Sequence, residues 1–200
     1  MIAGGPTATI VPRRFHVGAT LPGMGDEMAI NDDVVNGLTN LIVAALQDPA
    51  RGVHIETALT MAGATSGALV LRAAVGSALD SLEPGSPVLA DAVNDAGPNL
   101  LTFAAEHAAR LGLTWHTSEP QFHEGHEPLQ LPIDLVATLE PAAVTLFERF
   151  GVPVDDQPRY LLLAALDLMR MAAGVVDPII AADTVVWSLV VGSKTVPPHR

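Results

Sequence analysis

TALTMAGATSGALVL, running from Thr57 to Leu71, is the most apolar stretch of the chain, and its reading decides the fold. It is bounded by Glu56 and Arg72, and four of its residues are Thr or Ser. A membrane-spanning helix needs roughly 20 consecutive apolar residues, so this run is too short and reads as a buried central helix over about 55–79. Gly63 and Gly67 fall one turn apart, as do Ala64 and Ala68, which predicts a face where another backbone approaches closely. At about 100° per residue, Arg72 lies opposite Gly63, so its charge must find water or a partner.

Working outward, helical periodicity continues on both sides. NDDVVNGLTNLIVAALQDP places Val34, Val35, Leu38, Leu41, Ile42, Ala45 and Leu46 on one face, with Asn31 or Asp32 as the N-cap and Pro49 beyond the end. EPGSP at 83–87 is a turn, after which DAGPNLLTFAAEHAARLG puts Pro98 at the first helical position and Gly112 past the last. LPIDLVATLEPAAVTLFERFG predicts one or two helices, with Pro141 restarting the second. Two further helices begin at Pro158 and Pro178; the latter contains VVWSLVV, β-branched enough for a strand but preceded by the helix-start pair Asp177-Pro178. Residues 1–30 carry Pro and Gly without a sustained period and read as an irregular arm, with a short strand at Thr7 to Val11. The expectation is an all-α fold: a single helical domain of about six or seven helices over 31–200, behind that arm.

Composition narrows the function classes. A net charge of −12 and a single lysine argue against nucleic acid, whose phosphates require clustered Lys and Arg. There is no cysteine, which removes disulfides, thiolate metal ligation and cysteine nucleophiles. No phosphate loop, no G-x-G-x-x-G after a strand and no G-x-S-x-G elbow is present. No secretory signal is legible, so the expected location is cytoplasmic. Abundant Ala and Arg with almost no Lys matches GC-rich bacterial coding. Hydrophobic residues make up 49% of the chain and the last two helices are apolar nearly all round, which predicts a homo-oligomer, a dimer or larger.

Two constellations carry chemistry. TWHTSEPQFHEGHEP, Thr114 to Pro128, gathers three histidines and three glutamates. Imidazole and carboxylate suit zinc, iron or manganese, so His116, His123 and His126 are the candidate metal ligands, with Glu124 or Glu127 as a fourth ligand or a base. The spacing lacks the helical register of H-E-x-x-H, and a polar connector holds such residues without any ligand. Within that loop, Trp115 and Phe122 are expected to pack down while the histidines stay near the surface. The second constellation is charges set into apolar helices, Arg72, Asp167, Arg170 and Asp183. Asp167 and Arg170, three apart, suit an ion pair, while Arg72, Asp167 and Asp183 are the candidate lining of a small-molecule pocket. His54 and Glu56 read as structural, the glutamate through the helix dipole. The leading expectation is a homo-oligomeric helical protein that binds a partner or small apolar ligand without catalysis. The alternative is a metal-dependent hydrolase-like enzyme using loop 116–127.

Overall fold

The computed structural model describes residues 30–115, 120–121 and 123–199. The arm at 1–29, His116 and Phe122 therefore lie outside the described residues. Six α-helices follow in order: α1 (Asp32–Leu46), α2 (Ile55–Val75), α3 (Asp91–Arg110), α4 (Pro132–Phe150), α5 (Gln157–Met171) and α6 (Pro178–Lys194). Short 3-10 turns follow α2 and precede α5, and no β-strand occurs among the described residues. The fold is all-α.

Local chemistry explains most boundaries. The Asn31 side chain accepts the Asp33 N–H at 3.0 Å, and Asp32 and Asp33 set negative charge against the N-terminal end of the α1 dipole. Asp177 caps α6 by accepting the Ile179 N–H at 2.8 Å, with Pro178 at a position whose N–H needs no partner. VVWSLVV is helix, not strand. Gly151 ends α4 at φ 65°, a left-handed turn that a side chain would resist.

One proline reading changes and another is decided. α3 starts at Asp91, so Pro98 lies inside it instead of opening it. The buried stripe Val93, Leu100, Ala104 and Ala108 runs back past the proline, and packing along that face outweighs one lost backbone bond. Pro141 likewise sits within a single α4, whose face Leu135, Leu139, Ala143 and Phe147 is buried on both sides of it.

α2 is the axis of the domain. Every residue from 55 to 71 is buried, and α1, α3, α4, α5 and α6 all pack on it. By length and composition the stretch Ile55–Ser81 resembles a membrane span, but 78% of its most apolar window is buried inside the fold, as in a core helix. α5 is enclosed as well, from Tyr160 to Met169. These two apolar helices are thus covered within the chain, whereas α6 leaves Ile179 and Val190 exposed.

The most extensive contact is α2 against α6, and it is made by small residues. A Cβ at Gly63 would lie 2.6 Å from Val185 O, one at Gly67 2.6 Å from Ser193 N, and one at Gly192 2.9 Å from Ala64 Cα. Gly63 meets residues 185–189 and Gly67 meets 189–193, so the helices run parallel. Backbone fills this seam. Cavities adjoin it toward its two ends.

Candidate functional site

At the start of the α2/α6 pair the chain buries two carboxylates. The Glu56 side chain is 3% exposed and that of Asp183 1%. Such charges are costly unless paired and hydrogen-bonded. Their partners come from the histidine-rich loop: His123 Nε2 lies 2.6 Å from Asp183 Oδ2, and His126 Nδ1 lies 2.8 Å from Glu56 Oε1. The Leu129 N–H also donates to Thr57 Oγ1 at 2.9 Å, fastening the loop at a third point. Thr57 Oγ1 is in turn 3.0 Å from Nδ1 of His54, the residue that caps α2.

Because each carboxylate only accepts, the ring nitrogen facing it carries the hydrogen. In the neutral imidazoles that leaves lone pairs on His123 Nδ1 and His126 Nε2, and neither is hydrogen-bonded among the described residues. Both rings line one cavity of about 20 Å³, with Thr60, Gln121, Pro128, Thr184 and Trp187. That is room for about one water molecule. The Thr60 hydroxyl is fully buried and has no hydrogen-bond partner among the described residues. Glu127, exposed on the loop, has its carboxyl held below the usual value, first by the Gly125 N–H, then by its own backbone N–H, and then by the His126 charge.

The far end of the same helix pair is apolar. A cavity of about 170 Å³ is lined by Ala68, Val136, Val191, Gly192 and Val196, with Leu131, Pro132 and Ile133 from the start of α4 and Gly85, Thr195 and Pro197 completing it. Ala64, Ala68 and Val136 form a small buried cluster separate from the main core. The residues that bring backbones together in the seam are too small to fill the space where the helices meet α4. Beside it, Gly85 and Val88 donate to Val196 O and Lys194 O, holding the C-terminal segment against the 83–88 turn.

The charged residues expected to line one pocket are distributed among three places. Arg72 Nε donates to Glu140 Oε1 at 2.5 Å and its Nη2 to Pro198 O at 2.5 Å, tying α2 to α4 and the C-terminal segment. The parallel register sets Asp183 level with the first turn of α2, so Arg72 is about 20 Å further along at 1.5 Å per residue. Asp167 is a separate structural centre: it accepts Arg170 Nη2 at 2.7 Å and the Thr39 hydroxyl at 3.1 Å, joining α5 to α1. Of the three histidines, His123 and His126 meet at the polar cavity, with their side chains 28% and 29% exposed. Trp115 packs against the core, half-buried. Among the described residues no three His, Asp or Glu side chains converge as a metal cluster.

Sequence reasoning missed Glu56, Thr60 and Trp187 as members of the polar end. Glu56 had a sufficient local explanation in the helix dipole, and only the loop folding back over α2 brings His126 to it. A glutamate flanked by apolar residues at the start of the most buried helix was the available signal. No family model, curated protein or solved structure matches the chain.

Proposed function

We propose that this protein binds a small apolar molecule, or the apolar end of a larger one, in the cavity between α2, α4 and α6, without catalysis. The observation that supports this reading is the cavity itself. A mostly apolar hollow with few polar groups is the usual form of a small-molecule site, and one of about 150 Å³ accepts benzene. At about 170 Å³ this one suits a single ring or a short aliphatic chain. Thr195 is the hydroxyl-bearing side chain in its lining, and a ligand with one polar substituent fits better than a plain hydrocarbon.

The test is methyl NMR of the full chain titrated with benzene and with hexanoate. Shifts concentrated on Val136, Val191, Val196 and Ile133 are the expected result. Unchanged spectra at millimolar ligand with both probes would overturn the reading. Self-association belongs to the same proposal, since Leu89, Leu129, Leu131, Ile179 and Val190 are exposed apolar side chains and Leu131 also lines the cavity. Light scattering at micromolar protein reads this separately, and a monomer there removes the oligomer while leaving the ligand site standing.

A further inference from the structure

The polar end of the α2/α6 pair holds a different ligand chemistry. We infer that His123 and His126 bind one divalent first-row transition ion such as Zn2+ in the cavity they share, with Asp183 and Glu56 as the positioning residues behind them.

Three independent features converge on this. Each imidazole is turned by a carboxylate that is itself more than nine-tenths buried, the arrangement by which metal-binding histidines are oriented and made more basic. In its neutral form each ring has a lone pair on its second nitrogen, available to a metal. The cavity between them has room for one small particle, and the fully buried Thr60 hydroxyl in its wall lacks a partner that a metal-bound water would provide.

Charge selects a cation over an anion. No Lys or Arg lines the cavity, while Glu56 and Asp183 stand directly behind the rings and Glu124 and Glu127 lie on the same loop. Nitrogen donors select a transition metal over Mg2+ or Ca2+, which want oxygen ligands. With two protein nitrogens and no third His, Asp or Glu converging among the described residues, the remaining coordination positions go to water and stay open to exchange.

Isothermal titration of tag-free protein with Zn2+, repeated with Mg2+, tests the site. One Zn2+ per chain and no heat with Mg2+ is the expected result. His123→Ala with His126→Ala abolishes the Zn2+ binding while circular dichroism stays helical. Asp183→Asn, which keeps an acceptor for the ring but removes its charge, weakens binding by about 10- to 100-fold. Absence of Zn2+ binding at 100-micromolar metal would overturn the inference. So would affinity unchanged in Asp183→Asn or in the double variant, because the ion would then be held by histidines elsewhere on the surface.

Discussion

The two ends of the α2/α6 pair are built on the same parallel helices and the same glycine and alanine seam, yet one is polar and the other apolar. At the beginning, Glu56, Thr60, Asp183 and Thr184 face a loop that brings imidazoles. At the end, Ala68, Val191 and Gly192 face the aliphatic start of α4, Val136 included. A seam in which backbones touch leaves no side-chain volume of its own. The character of each end is therefore set by the side chains that α2 and α6 place beyond the seam, together with the segment that closes it. Both closing segments adjoin one another in sequence, since the loop ends near Leu129 and the α4 lining begins at Leu131.

The largest effect is expected from the seam on which both ends depend. Gly67→Val drives a side chain into the α6 backbone and should cost about 3 kcal/mol in urea denaturation, with both cavities lost together. If it proves silent, the two ends are not held by that contact. Next comes Arg72→Met, which strips Glu140 of its guanidinium at the apolar end and should cost about 2 kcal/mol. Replacing Glu140 with Met as well should recover part of that, because the buried carboxylate is then gone too.

Asp183→Asn probes the polar end alone. It should lower stability by about 1 kcal/mol and accelerate hydrogen exchange in the loop around His123, leaving the apolar end unaltered. Val136→Phe is its counterpart. It fills existing space, so stability should change by less than about 1 kcal/mol while the benzene and hexanoate shifts disappear. A large destabilisation would mean that the hollow is too small for a ring.

The smallest effect concerns Glu127. Its carboxyl is held below the ordinary value in the folded chain, so its contribution is present at neutral pH and fades as pH falls through and below the usual carboxylate range. Side-chain NMR titration should find it titrating below the other exposed glutamates. Glu127→Gln should leave the melting temperature at pH 7 nearly unchanged, since the group is fully exposed.

How much of this was legible in the chain differs by element. α1 announced itself by the Asn31 cap and its periodicity, α5 by Pro158, and α6 by the Asp177-Pro178 start. Pro98 misled, and Pro141 left one helix or two open, for one reason: a proline marks a helix start only when nothing packs on the residues before it. In α3 and α4 something does. Asp167 and Arg170 were readable as a pair from their spacing, but the third member, Thr39, is 128 residues away from Asp167. Separations of 60 and 70 residues likewise hid the His123–Asp183 and His126–Glu56 pairs. Arg72 and Asp183 looked alike as isolated charges in apolar helices, and the register of α2 against α6 separated them.

Composition and periodicity by themselves determined that the chain is helical, that α2 is its core, and that its functional groups include imidazole and carboxylate with one lysine and no thiol. Those properties are local: apolar residues at 3.6-residue spacing, caps at helix ends and the inventory of functional groups follow from neighbours along the chain. Only the tertiary structure decided which carboxylate each histidine reaches and where space is left between helices. Pairing and cavities depend on how distant segments are docked, and docking here follows from a parallel glycine and alanine contact whose register no single helix encodes.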